Sequence, residues 1–170
     1  MINKNSVSYN AALTGIMTAL LSVGKLALSF IPNIEITSFM IIIFTVFFGR
    51  KVLISVFAFI LIEGIIYGFG VWWIGYLYIW PILCLVTLAI RKHASRFSLA
   101  VLSSSFGFLF GFLMSFTYMF IGSAKPGVNY AITWWIAGIP FDLIHGVGNF
   151  LIMLCLYTPV VKVLNAVTDK

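Results

Sequence analysis

The chain has 170 residues, of which 62% are hydrophobic and only 8% are charged, and its mean hydropathy is +1.14. These values lie outside the range of soluble globular proteins. The composition therefore predicts an all-α integral membrane protein with no soluble domain.

Six apolar stretches separated by brief polar segments predict six transmembrane helices in a single domain, residues 1–170. The predicted spans cover residues 9–30, 36–49, 52–69, 75–90, 98–122 and 132–161. The second and third spans are short and meet at Gly49-Arg50-Lys51, which predicts that one or both are tilted or partly re-entrant. The first span is too long for a secretory signal peptide.

Basic residues are distributed unevenly between the two ends of these spans. With a cytoplasmic N-terminus, eight of the ten Lys and Arg residues face the inside, whereas Lys25 and Lys125 lie near the outer face. The eight are Lys4, Arg50, Lys51, Arg91, Lys92, Arg96, Lys162 and Lys170. This positive-inside bias predicts that both termini are cytoplasmic. The net charge of +6 then reflects topology and not nucleic-acid binding.

The first helix carries small residues at a spacing of four. Ala11, Gly15 and Ala19 lie on its cytoplasmic half and share one face. Such a face lets helices approach closely, either inside the bundle or against another membrane protein. Both alternatives are open at this point.

The first loop, Pro32-Asn33-Ile34-Glu35, joins the first two spans at the predicted outer face. A tight turn with a helix cap explains it without any ligand. Alternatively, Asn33 and Glu35 face the mouth of a pocket.

Aromatic residues concentrate in the outer half of the predicted bundle, where all five tryptophans lie. The run YGFGVWWIGYLYIW, residues 67–80, is the densest part. An interfacial aromatic belt is one explanation, but a belt is expected at both interfaces. The asymmetry favours an outward-facing pocket. Its candidate lining residues are Tyr67, Trp72, Trp73, Tyr76, Tyr118 and Trp135, together with Asn33 and Glu35.

A polar stripe interrupts the last span. In WWIAGIPFDLIHGVGNF, residues 134–150, Asp142, His145 and Asn149 lie within about 60° of one another on a helix. Glu63 on the third span has a similar predicted depth, and lipid exposure of such groups is costly, so the four predict a buried polar cluster. The cluster either locks helix six to helix three or forms the floor of the pocket.

Other chemistry has little support in the sequence. Cys84 and Cys155 fall inside spans without neighbouring ligands, so neither a disulfide nor a metal site is expected. An enzyme would have to use Glu63, Asp142 and His145 without a second histidine or a positioned serine, and we predict no enzymatic activity. A small proton-coupled transporter could use the same residues as a relay, although no internal repeat is visible.

The sequence resembles the substrate-specific S component of an energy-coupling factor (ECF) transporter. The resemblance rests on AALTGIMTAL in the first helix, the polar loop PNIEITSF and the outward aromatic residues, and it covers essentially the whole chain. Three segments resemble the branch of this family associated with cobalamin uptake, namely IPNIEITSFMIIIFTVFFGRK, LIEGIIYGFGVWWIGYLYIWPIL and WWIAGIPFDLIHGVGNF.

The resemblance implies a protein of a bacterial plasma membrane that binds a vitamin at its outer face. Ala11, Gly15 and Ala19 would dock on the coupling transmembrane subunit, with Gly15 where the family pattern has alanine. Two cytoplasmic ATPases would supply the energy, and the S component would topple in the membrane to release its cargo. In agreement, the chain contains no phosphate-binding G-x-x-x-x-G-K-[ST] loop.

The scarcity of outer cations bears on the ligand. Carboxylate vitamins such as folate, pantothenate and biotin favour a basic partner, yet the outer half offers only Lys25 and Lys125. A large, nearly neutral, amide-rich ligand such as cobalamin agrees best, while riboflavin and a queuosine precursor fit less fully and cationic thiamine could use the acids. No resident cofactor is expected, and His145 lies too deep to be a good cobalt ligand.

Overall fold

The computed structural model describes residues 6–122 and 126–168, so Lys4, Lys125 and Lys170 lie outside the described residues. Over these ranges the chain is helical and has no strand, which confirms the all-α class. The helices are α1 (Val7–Ala27), α2 (Thr37–Phe48), α3 (Val52–Tyr67), α4 (Val71–Ile90), α5 (Arg96–Phe120) and α6 (Val128–Thr168), and a 3-10 turn at Gly49–Lys51 joins α2 to α3.

Five segments of the described chain are long and apolar enough to cross a membrane. Four of them are α1, α4, α5 and α6, and the fifth is Thr37–Tyr67, which comprises α2, the 3-10 turn and α3. With 12 and 16 residues, α2 and α3 are roughly 18 and 24 Å long, less than the ~30 Å hydrocarbon core. Six separate spans and cytoplasmic termini stay predictions.

Contacts between α1 and α3 show that these two helices run parallel. Near their N-terminal ends Lys51 Nζ donates a hydrogen bond to Asn10 Oδ1 over 2.7 Å, and near their C-terminal ends Lys25 pairs with Glu63. The chain must therefore reverse between α2 and α3. Gly49 makes the reversal with φ 66°, a left-handed conformation that glycine adopts without steric penalty.

The antiparallel pair α5 and α6 makes the closest helix crossing. Asn149 Nδ2 donates to Ser103 O over 3.3 Å, and Arg96 donates to the Leu154 carbonyl near the start of α5. At the crossing itself, a Cβ added to Gly107 would lie 2.7 Å from Gly146 Cα. Only glycine at residue 107 allows the two backbones to approach this closely.

The loop between α1 and α2 enters the bundle. Glu35 Oε1 lies 3.1 Å from His145 Nε2, and the His145 ring packs against Phe110 with the ring centroids 5.0 Å apart. Phe110 is near the middle of the 25-residue α5, so Glu35 lies at mid-depth and not at the outer mouth where the sequence placed it. Because α2 begins at this depth, its 12 residues are enough to reach the far end of the bundle.

Helix α6 is longer than the sequence predicts. It extends over Val128–Thr168, 41 residues or roughly 60 Å, whereas the predicted span covered residues 132–161. Pro140 and Pro159 lie inside the helix and do not end it. The helix is about twice as long as the hydrocarbon core is thick, so it is longer than one membrane crossing requires.

The α5–α6 crossing gives a direct test of the packing. Gly107→Ala should lower the free energy of unfolding by about 1–3 kcal/mol, because the new methyl group meets the Gly146 backbone. The matched control is Gly138→Ala, since no atom of the described residues lies within 4 Å of a Cβ added there. Thermal unfolding of both variants in one detergent makes the comparison, and equal melting temperatures would contradict the crossing.

Candidate ligand-binding site

A cavity of about 410 Å³ lies where α3 ends and α4 begins, among α1, α4, α5 and α6. Its lining is mainly aromatic and comprises Lys25, Ser29, Tyr67, Trp72, Tyr76, Phe110, Met114, Tyr118 and Trp134. Because the helices alternate in direction, this end is opposite to the basic junctions at Arg50-Lys51 and Arg91–Arg96. Tyr67, Trp72, Tyr76 and Tyr118 belong to the lining set that the sequence predicts.

The other four predicted lining residues lie elsewhere. Trp73 Nε1 donates to Ile60 O over 2.8 Å, so this ring packs against α3. Trp135 packs edge-on against Phe112 with centroids 5.1 Å apart. Asn33 and Glu35 belong to the loop that enters the bundle, and Glu35 accepts a hydrogen bond from Ser38 N over 2.8 Å. Of the two explanations for this loop, a tight turn that caps a helix agrees with these contacts better than a position at the mouth of a pocket.

Lys25 is the lining residue of most chemical interest, and it is not among the lining residues that the sequence predicts. Its ammonium group pairs with the Glu63 carboxylate. The Lys25 side chain is 24% exposed and the Glu63 side chain only 1%, so the lysine lies between the acid and the cavity. A lysine in an apolar helix predicts a buried acidic partner, and this rule could have paired the two residues.

Three aromatic rings surround the Lys25 ammonium. Nζ lies 5.0 Å from the ring centroids of Tyr67 and Tyr76 and 5.4 Å from that of Trp72. All three distances are within the range of about 6 Å for cation–π attraction. The Lys25 ammonium group therefore lies close to its acid partner and to three aromatic rings.

A second group of rings comes from α5 and α6. Tyr118 and Trp134 stack with centroids 4.3 Å apart and an interplanar angle of 23°. The sequence analysis predicts that Trp135 lines the pocket, whereas its neighbour Trp134 lines the cavity in the structure. Adjacent residues on a helix point about 100° apart, so only one of the two tryptophans faces this cavity.

The polar stripe on α6 lies outside the cavity lining and faces α5 and the α1–α2 loop. Asp142 Oδ1 accepts a hydrogen bond from Gly111 N over 3.0 Å, Asn149 binds Ser103 O, and His145 binds Glu35. All three stripe residues are buried, as is Glu63. Glu63 pairs instead with Lys25, so the stripe holds α6 to α5 where the sequence predicted an anchor to α3.

Glu35 fastens the α1–α2 loop at two points. Its Oε1 lies 3.1 Å from His145 Nε2 on α6, and its Oε2 accepts a hydrogen bond from Ser38 N near the start of α2 over 2.8 Å. It links the start of α2 to α6.

No protein-family model, curated protein or solved structure matches the chain. Among residues 6–122 and 126–168, no group of three or more His, Cys, Asp and Glu side chains could hold a metal ion. The lining of the described cavity presents aromatic rings, hydroxyl groups and one ammonium group that is paired with a carboxylate.

Asp142 provides a test of the stripe as a structural element. Asp142→Ala should lower the free energy of unfolding by about 1–3 kcal/mol, because Gly111 N loses its side-chain acceptor in a buried position. Asp142→Asn keeps that acceptor and should melt close to the wild type, since Oδ2 accepts no hydrogen bond from any residue that the structure describes. If both variants melt like the wild type, then the stripe does not stabilise the bundle.

Proposed function

We propose that the chain is the substrate-binding membrane subunit of an ECF-type importer, and that it captures a vitamin in the aromatic cavity. The observation that carries the proposal is the cavity of about 410 Å³ with tryptophan and tyrosine rings from four helices, α3 to α6. Rigid rings bury a large ligand area at low entropic cost. Small-molecule sites of this kind span about 300–1,000 Å³.

The distribution of charge supports an outward-facing cavity. Arg50, Lys51, Arg91, Lys92 and Arg96 lie at the helix junctions of the opposite end. Basic residues are enriched on the cytoplasmic side of membrane proteins. The cavity then faces the outside, where a nutrient is first met.

The small-residue face of α1 supports a partner in the membrane. Ala11, Gly15 and Ala19 are exposed, and no atom of the described residues lies within 4 Å of a Cβ added to Gly15. By contrast, Gly107 and Gly111 are covered by α6. The face is therefore not used for packing inside this chain, and the proposed occupant is the coupling transmembrane subunit. Two ATPases bound to that subunit would supply the energy.

The identity of the vitamin is also a proposal. The resemblance implies cobalamin, and the cavity volume lies near the lower end of the usual range. A corrinoid would place one edge in the cavity and extend beyond it. A smaller ring vitamin such as riboflavin or a queuosine precursor would be enclosed more completely, and the volume makes this the second candidate.

Reconstitution tests the transport proposal. We expect vitamin uptake into proteoliposomes only when the coupling subunit, the ATPases and ATP are all present. Mass spectrometry of any molecule that copurifies with the protein identifies the cargo. Uptake by the protein alone, driven by a proton gradient, would establish a secondary transporter in place of the proposed subunit.

The docking face gives a separate prediction. Gly15→Leu should leave folding and ligand binding unchanged, because the space around Gly15 is open, while it reduces copurification with the coupling subunit at least roughly tenfold. Ala12→Leu is the matched control, since Ala12 is exposed on a neighbouring face of the same helix. Loss of ligand binding with intact assembly would show that the face serves the bundle itself.

The neighbouring tryptophans Trp72 and Trp73 give a crossed comparison. Trp72→Ala should weaken ligand binding roughly tenfold or more with a small change in melting temperature, because its ring lines the cavity. Trp73→Ala should lower the melting temperature, because its ring is bonded to Ile60 O and packs on Phe69. Calorimetry and thermal unfolding of both variants test the assignment, which fails if the two effects are interchanged.

A further inference from the structure

We infer that Lys25 is the specificity-determining residue of the cavity, where it donates a hydrogen bond to a carbonyl oxygen of a neutral, planar ring ligand while Glu63 cancels its charge. That this ligand is a transported vitamin rests on the proposed function. The recognition chemistry rests on the geometry of the site.

The donor capacity of Lys25 exceeds what the protein uses. A lysine ammonium group carries three N–H donors, and Glu63 is its hydrogen-bond acceptor within the described part of the chain. The rings of Tyr67, Trp72 and Tyr76 attract the charge but are poor substitutes for an oxygen acceptor. Because Lys25 lines the cavity, a ligand oxygen can reach the remaining donors.

The charge balance of the pair selects against ions of either sign. A cationic ligand would be repelled by the Lys25 ammonium, which already occupies the faces of the three rings. An anionic ligand gains little electrostatic attraction, because the carboxylate of Glu63 already neutralises the charge of Lys25. A neutral ligand with a lone-pair acceptor has neither disadvantage.

Planarity follows from the rings. The stacked pair Tyr118 and Trp134, with an interplanar angle of 23°, gives the cavity one flat wall, and the Trp72 and Tyr76 rings of α4 add aromatic faces at 79° to each other. Flat aromatic surfaces bury a flat ring more completely than a branched chain. A conjugated ring with carbonyl groups on its edge therefore matches both the walls and the lysine.

Three tricyclic probes of similar size and different charge test the inference. Lumichrome is neutral and has ring carbonyls, proflavine is a cation, and anthracene-9-carboxylate is an anion. For the full-length wild-type protein in detergent, titration calorimetry should give the tightest binding for lumichrome, by roughly tenfold over each ion. Wild-type protein that prefers proflavine, or that does not bind lumichrome, would overturn the inference.

Variants of the pair identify the donor. Glu63→Gln leaves Lys25 uncompensated and should shift the preference toward anthracene-9-carboxylate by roughly tenfold. The double variant Lys25→Met with Glu63→Gln removes the donor without leaving a buried charge, and it should weaken lumichrome binding about tenfold. Lys162→Met is the control, since Lys162 is exposed on α6 away from the cavity and all three affinities should be unchanged. Wild-type lumichrome affinity in a folded double variant would also overturn the inference.

The probe assay is independent of the transport assay. It needs neither the coupling subunit nor ATP. The expected charge preference without ATP-dependent uptake would reject the proposed function and retain the cavity chemistry. Intact uptake without the charge preference would reject the role of Lys25 alone.

Discussion

The buried carboxylate of Glu63 is the constraint on which the cavity end of the bundle depends. An acid in an apolar helix meets no water in the bilayer core, so it needs a partner inside the protein. Lys25 supplies that partner and thereby fixes α1 and α3 at matching heights. The ammonium group also attracts aromatic rings, and those of Tyr67 and Tyr76 lie next to it. One ion pair thus positions α1 against α3 and brings Lys25, Tyr67 and Tyr76 together in the cavity lining.

A second constraint acts through the contact between α5 and α6. Glycines at residues 107 and 111 let α6 come close enough for Asp142 to bind the Gly111 backbone. The polar stripe of α6 is therefore used for helix contact, and aromatic side chains provide most of the cavity wall. Phe110 touches both regions, since its ring lines the cavity and packs on His145. Apart from Phe110, the residues of α5 and α6 that hold the two helices together thus differ from those that line the cavity.

Much of the fold could be predicted from local signals. Hydropathy located the helices, and glycine marked the reversal at Gly49. Alternation of helix direction was enough to gather Tyr67, Trp72 and Tyr76 at one end. The depth of the Glu35 loop and the choice between Trp134 and Trp135 depend on how far a loop enters and how a helix is rotated. Both are set by tertiary contacts, His145 for the loop and the α5 glycines for α6, and no local pattern encodes them.

Helix α1 connects the cavity to the proposed docking face. Lys25 points toward Glu63 and the rings, whereas Gly15 lies on an open face about 15 Å away along the same helix. Lys51 and Ser55 bind α1 near its other end through Asn10 and the Thr14 carbonyl. Polar contacts thus join α1 to α3 near both ends of α1. If the proposed function holds, the ligand and the coupling subunit would contact the same helix, the ligand at Lys25 and the subunit at the face around Gly15.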